Sequence, residues 1–291
     1  MTTAPVGATA PTARVAGPGL RWLARNLLGA AGAVIIAGWL VVLVVGPDVA
    51  PYSYRQVDVI ARLKPPSSEY YFGTDALGRD VFSRVLVGTR VSLPSGFAVV
   101  LIAAAVGTLY GGVAAYAGAK AEEVMMRVTD LFLSFPPLIL AMAIAAALGK
   151  GVINTIVAMA IVWWPKYARL SRSLVIVQRS LEYVEAAHAL GHGAGRTLLR
   201  HIAPNAIGPI VVLLALDVGS SMITFAGLSF LGLGVVPPTP EWGAMVSEGQ
   251  VLIEQWWVSA FPGLAIFSVV VGFNFLGDAL RDWLDPRARA G

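Results

Sequence analysis

Three groups of residues in this chain are of the types that do chemistry. The first is Glu185-Ala186-Ala187-His188-Ala189-Leu190-Gly191, running on to Ile202-Ala203-Pro204, a polar, Ala- and Gly-rich stretch between two apolar ones. Ala186, Ala187 and Gly191 keep a short helix slim enough for a partner's groove to approach its backbone. Glu185 suits the positive end of such a helix. The competing reading is an ordinary surface helix whose alanines simply favour helicity, and the residues alone leave both open. The second group is His188, His192 and His201, which are all the histidines in the chain. His188 and His192 are spaced as two metal ligands on one helical face would be. Yet no Glu follows His188, the chain has no cysteine, and a third ligand is missing, so no metal site is expected. The third group is Asp130 and Asp217, carboxylates in apolar surroundings. Asp217 lines a polar pathway, meets a neighbouring subunit, or is a structural carboxylate hydrogen-bonded between helices, and the last is preferred.

Other chemistry is excluded by spacing. No G-x-x-x-x-G-K-[ST] phosphate loop occurs, because Gly149-Lys150 is followed by Gly151 in an apolar context. The nucleophile elbow is missing too, since Gly227-Leu228-Ser229-Phe230-Leu231-Gly232 has the wrong spacing. Neither ATP hydrolysis nor a membrane hydrolase is expected, and no catalytic residue is assigned.

The elements that position these groups follow from composition. The chain is 57% hydrophobic and 13% charged, against roughly 45–50% and about 25% in soluble domains, and its mean hydropathy is +0.72. These values describe an all-α, polytopic membrane bundle surrounded by lipid. A net charge of +4 from 21 Lys+Arg and 17 Asp+Glu is no nucleic-acid surface. The distribution of cations, and not their total, orients such a chain.

Apolar runs predict six spans, at residues 27–45, 97–117, 128–148, 152–164, 207–230 and 257–275. Both ends lie in the cytoplasm. Residues 1–21 read as a disordered cytoplasmic tail, 22–46 as a first transmembrane helix, 47–91 as an external segment, 92–285 as a five-helix core containing a cytoplasmic loop at 165–204, and 286–291 as a cytoplasmic tail. The first run reads as an uncleaved anchor, since it is longer than the roughly 7–15 apolar residues of a signal peptide and no small-x-small site follows. Lys166, Arg169, Arg172, Arg179, Arg196 and Arg200 agree with an inside loop, whereas the cations of 47–91 strain the same rule. Leu170, Leu174, Val177, Leu181 and Val184 fall on one helical face, so a helix extends from the fourth span or lies on the bundle. Pro136-Pro137 interrupts the third span, as a pathway-lining hinge or as a tolerated kink. Asp130 falls in that span's first turn. Gly107-x-x-x-Gly111, with Gly112, permits close helix approach but is weak evidence by itself. Pro94 fits the first turn of the second span.

At this point the residues resemble a family. Glu185-Ala186-Ala187, Gly191 and Ile202-Ala203-Pro204 resemble the E-A-A loop of the permease subunits of bacterial ABC importers. Phe72-Gly73-Thr74-Asp75-Ala76-Leu77-Gly78-Arg79-Asp80-Val81-Phe82-Ser83-Arg84, Leu228-Ser229-Phe230-Leu231-Gly232-Leu233-Gly234, Pro237-Pro238-Thr239-Pro240-Glu241-Trp242-Gly243, Gly277-Asp278 and Leu284-Asp285-Pro286-Arg287 narrow it to the C-type permease of the dipeptide/oligopeptide/nickel group. The resemblance covers residues 22–287. It departs at Ala203, where a leucine often precedes the proline.

The resemblance implies a type I ABC importer permease fold in the cytoplasmic membrane and import of short peptides, with nickel or glutathione as alternative cargo. An ion-driven secondary transporter is the rival from another class. It implies four protein partners: a homologous second permease forming a heterodimer, two nucleotide-binding ATPase subunits that hold the ATP and Mg, and an external substrate-binding protein. No cofactor is expected on this chain. Glu185, Ala186, Ala187, Gly191, Ile202 and Pro204 would couple to the ATPases. Phe72, Gly73, Thr74, Asp75, Arg79, Asp80, Glu241 and Trp242 would face the binding protein or line the mouth. Asp130, Pro136, Pro137 and Asp217 remain candidates for the pathway or an interface.

Overall fold

The computed structural model describes residues 26–284; the expected tails at 1–21 and 286–291, and the motif residues Asp285-Pro286-Arg287, lie outside them. Among the described residues ten α-helices follow one another: α1 Leu27–Val49, α2 Val81–Ala114, α3 Ala119–Leu133, α4 Pro137–Leu148, α5 Val152–Arg179, α6 Glu182–Ala189, α7 Ala194–Thr197, α8 Ala203–Phe230, α9 Trp242–Gly249 and α10 Trp257–Leu284. A π-turn, Leu198–Ile202, joins α7 to α8, so the two run on as one continuous helix of 37 residues.

Among the described residues four helices are long and apolar enough to cross a membrane: α1, α2, the α7–α8 unit and α10. A fifth span exists if α3 and α4, which meet at 88°, count as one. The sixth expected span is the apolar start of α5. That helix falls short on apolarity because Lys166, Arg169, Arg172 and Arg179 lie within its own length. The proline pair falls at the bend between α3 and α4: Pro136 is the extended residue before α4 and Pro137 its first residue, where a missing N–H costs nothing.

Two boundaries differ from expectation. The segment 165–179 is not loop but the continuation of α5, and the polar element between the apolar helices shrinks to residues 180–202. α2 starts at Val81, capped by Asp80, whose carboxylate accepts from the Ser83 N–H at 2.7 Å. Pro94 consequently sits in a helix interior, not a first turn.

The principal core holds α2, α5, α8 and α10 together around Val99, Val100, Met159, Tyr167, Val218 and Phe225. The glycine pair explains the tight fit of α2 on α5. A Cβ on Gly107 would stand 2.2 Å from the Trp164 carbonyl oxygen, and one on Gly111 would stand 2.1 Å from that of Ala168. Only glycine lets the backbones come so near. α1 is fastened differently. Pro47 has no N–H to give the Leu43 carbonyl, and the Arg90 guanidinium of α2 supplies donors there, Nε to Leu43 O at 3.2 Å and Nη2 to Val44 O at 2.9 Å.

Candidate functional site

The coupling element begins where α5 ends. Glu182 and Glu185 occupy the first turn of α6 and His188 the last, the charge order that a helix dipole favours. Gly191 ends the helix. Its φ of 80° lets its N–H reach the His188 carbonyl at 2.9 Å while the His192 N–H reaches Ala187 O at 3.1 Å, the paired bonds of a glycine-closed helix end. Gly191 is thus the residue that stops α6, and it does not slim it.

The buried side of α6 consists of Val184 and Ala187. Val184 joins Ala115, Val175, Ile202 and Ala206 in a second small core, apart from the main one. Arg179 ties the same region to the end of α2, donating to the Ala115 carbonyl and lying 4.6 Å from the Tyr116 ring centre. Of the six residues expected to couple, Glu185, Ala186, Gly191 and Pro204 are exposed, whereas Ala187 and Ile202 are buried. The first four are open to a partner; the other two fix the element to the bundle. His188 and His192 are separated by the Gly191 turn and do not share a helical face. His192 instead pairs with His201, Nδ1 to Nε2 at 3.2 Å with stacked rings. Among the described residues no group of three or more His, Cys, Asp or Glu could hold a metal.

At the other end of the molecule the two expected external motifs fold onto each other. Asp75 turns the chain by accepting from the Leu77 and Arg79 N–H groups at 2.8 and 3.0 Å. Its second oxygen takes Arg79 Nε at 2.6 Å and Arg84 Nη1 at 2.9 Å. Both arginines reach on to Glu248 of α9, at 2.8 and 3.1 Å. Two cations and two anions thus form one cluster, with Asp75, Arg79 and Arg84 buried and Glu248 open to solvent on one side. Thr74 accepts from Lys64 N at 2.8 Å, and its carbonyl accepts from Trp257 Nε1 at 3.1 Å. Gly73, at φ 70°, lies where a Cβ would stand 2.6 Å from Trp257 Nε1. Phe72 stacks on Phe261 with ring centres 3.8 Å apart.

Glu241 caps α9, accepting from the Gly243 and Ala244 N–H groups at 3.0 and 2.9 Å and from the Ser92 hydroxyl at 3.1 Å. Burial pushes its carboxyl above the usual carboxylate range, against the pull of those donors. Trp242 Nε1 donates to the Val85 carbonyl at 3.0 Å. Gly73, Thr74, Asp75, Arg79, Asp80, Glu241 and Trp242 are all buried and Phe72 is half-buried. Their side chains point into the fold and set the shape of this segment.

Midway along the bundle, Asp217 is buried and fully engaged. The Tyr167 hydroxyl donates to its Oδ2 at 2.6 Å, and Lys166 Nζ lies 2.6 Å from the same oxygen. This is a carboxylate bonded between helices, α8 to α5. Asp130 is exposed and pairs with Arg169 at 2.6 Å. With the neighbouring Glu122–Arg172 pair it lines an open cleft of about 740 Å³ between α3 and α5. Lys166, Tyr167, Arg84 and Glu248 escaped the reading of sites from sequence. The one signal available for them was charge inside or beside apolar runs, and their partners lie far away along the chain.

Known proteins are similar to this chain in sequence along nearly its whole length. The family described as "Binding-protein-dependent transport system inner membrane component" matches residues 92–290. The probable D,D-dipeptide transport system permease protein DdpC of Escherichia coli K12 is 43% identical, over 94% of this chain and 93% of its own. The glutathione transport system permease protein GsiD of Pectobacterium atrosepticum is 42% identical, over 93% and 90%. The nickel transport system permease protein NikC of Escherichia coli K12 is also 42% identical, over 91% and 95%. Built from apolar spans around a short exposed helix, and alike in sequence from end to end, this chain belongs to the family of inner membrane permease components of binding-protein-dependent transport systems.

Proposed function

We propose that this chain is one half of the membrane pore of an ATP-driven importer of short peptides, and that it receives its driving force at α6. The carrying observation is the way α6 is mounted: exposed at Glu185 and Ala186, buried at Val184 and Ala187, stopped by Gly191, and seated on a small core of its own. A rigid knob fixed to the ends of α2, α5 and α8 passes a push from a partner into the bundle. Having no phosphate-binding loop, the chain depends on separate ATPase subunits for ATP and Mg.

In this reading both termini and residues 180–202 are cytoplasmic, and the segments 50–80 and 231–256 lie outside, toward a substrate-binding protein. A homologous second permease completes the pore. Cargo in the peptide class is supported by the dipeptide relative; the glutathione and nickel relatives keep those two cargoes as the alternative.

The test is uptake into proteoliposomes holding the complete complex. Labelled dipeptide should enter only with ATP on the ATPase side, and excess unlabelled dipeptide should compete where Ni²⁺ and glutathione do not. Uptake by this chain without ATPase subunits, driven by an ion gradient, would overturn the proposal in favour of a secondary transporter.

A further inference from the structure

Two histidines meet beside α6, and the function proposed above makes no use of them. His192 follows Gly191, the residue that ends α6, and His201 lies in the π-turn that leads α7 into α8. Both are half-buried, and their rings stack with centres 5.2 Å apart and planes 18° apart. His192 Nδ1 and His201 Nε2 stand 3.2 Å apart, within hydrogen-bond distance. This side-chain bond ties the end of α6 to the start of α8. The backbone on each side is anchored separately: the His192 N–H bonds Ala187 O at 3.1 Å, the His201 carbonyl accepts from the Asn205 amide at 2.8 Å, and Ile202 shares the small core with Val184 of α6. Losing the ring-to-ring bond therefore loosens the element without unfolding it.

A hydrogen bond between two imidazole nitrogens needs one N–H and one lone pair. The neutral pair meets that need, and so does the pair with one added proton. With two added protons both facing nitrogens are donors, the bond is lost, and two like charges stand side by side. The charges that bear most on His192 are all cations: Arg196 of α7, His201 and Arg200 of the π-turn, and His188 in the last turn of α6. The α6 carboxylates, Glu182 and Glu185, occupy its first turn, away from His188. Tyr183 of α6 and Asn205 of α8 bring a hydroxyl and an amide to the same region. Burial, and then these cations, hold the His192 imidazole below its ordinary value of 6.5. The folded chain thus binds this proton less readily than the unfolded one. This part of the stability is whole above the ordinary value and is lost as pH falls below it.

We propose that the His192–His201 pair is an acid-sensitive latch on the coupling element. Closed near neutral pH, it holds the end of α6 against the start of α8, so that a push on α6 reaches the bundle. Opened by a second proton, it lets α6 give way, and ATP hydrolysis proceeds with less transport. The proposal rests on the coupling role of α6 argued above and adds its regulation.

Two measurements on the reconstituted complex test it, each made at about pH 7.5 and about pH 5.5, on either side of the ordinary imidazole range. The first is hydrogen exchange over residues 187–202, corrected for the intrinsic effect of pH. In the native complex, protection should fall at the lower pH by about 2- to 10-fold, the worth of one net hydrogen bond. In His201→Gln, and in His192→Asn, an amide stands where the ring nitrogen was and bonds the remaining histidine in either charge state, so the fall should vanish. The second is the amount of Ala-Ala taken up per ATP hydrolysed, with pH varied on the ATPase side. That ratio should fall in the native complex and stay level in the two variants.

Protection over residues 187–202 that does not change with pH in the native complex would overturn the latch, as would an equal fall in variants that assemble normally. A level ratio in a native complex whose protection does fall would overturn its link to coupling. A complex that moves no Ala-Ala contradicts the peptide reading instead, and the exchange measurement still decides whether the latch opens.

Discussion

Gly107 and Gly111 show how much a single missing side chain decides here. With carbonyl oxygens 2.2 and 2.1 Å from where a Cβ would lie, Gly111→Ala forces α2 away from α5. Overpacking of this kind costs about 1–3 kcal/mol, so the thermal midpoint of the purified complex should fall, more for Gly111→Val than for Gly111→Ala. An unchanged midpoint would mean that the two helices are not in contact there. Glu241 supplies a pH dependence. Its carboxyl is held above its ordinary value of 4.5 chiefly by burial, so the folded chain keeps this proton at a pH where the unfolded chain has released it. That part of the stability is complete below the unfolded value and is lost as pH rises through the folded one. Glu241→Gln should lower stability by about 1 kcal/mol through an impaired cap and flatten its fall with rising pH, which denaturation midpoints at several pH values would show. The glycine spacing was visible in the sequence, as was the presence of Asp217 in an apolar run. That Lys166 and Tyr167 would be its partners was not, because the pairing depends on how α5 lies against α8.

The elements are held by charge where the sequence promised only apolar packing. Arg84 is 2% exposed and binds Asp75 and Glu248 together. Removing Arg84 leaves Arg79 alone to balance Asp75 and Glu248, and breaking a buried ion pair by removing one partner costs up to about 3–5 kcal/mol. Arg84→Ala should therefore destabilise α9 and the 72–80 turn far more than Arg127→Ala does, whose pair with Glu123 is fully exposed. Hydrogen exchange over residues 72–84 and 242–249 would show the difference. The break between α3 and α4 gives a second test at this scale. Replacing Pro136 and Pro137 by alanine restores the missing N–H groups and should straighten the 88° junction. Spin labels at Val124 and Ala146 would then move apart. The existence of the spans was legible from apolar runs of the right length. Their ends were not, because α2 begins well outside its apolar run, started by the Asp80 cap, and α5 continues as an amphipathic helix past the point where apolarity stops. The motifs around Phe72 and Glu241 were legible as motifs, yet the burial of their side chains was not, since polar residues in a loop read as surface until their partners are known.

In the proposed function the whole molecule works as a lever. α6 is fastened by Val184, Ala187, Ile202 and Arg179 to the ends of α2, α5 and α8, and α5 carries Tyr167 into the main core against Asp217. A push on α6 therefore reaches the Tyr167–Asp217 contact in the main core through one continuous helix of 28 residues. The measurement that bears most directly on this is coupling in the reconstituted complex with Ala186→Phe. Ala186 is exposed and makes no part of either core, so the substitution should leave insertion, assembly and thermal stability unchanged. The account predicts that peptide uptake and its stimulation of ATP hydrolysis are lost together, by at least about tenfold, as when a contact worth roughly 1.4 kcal/mol or more is removed. Uptake and stimulation that both persist in a normally assembled Ala186→Phe complex would contradict it.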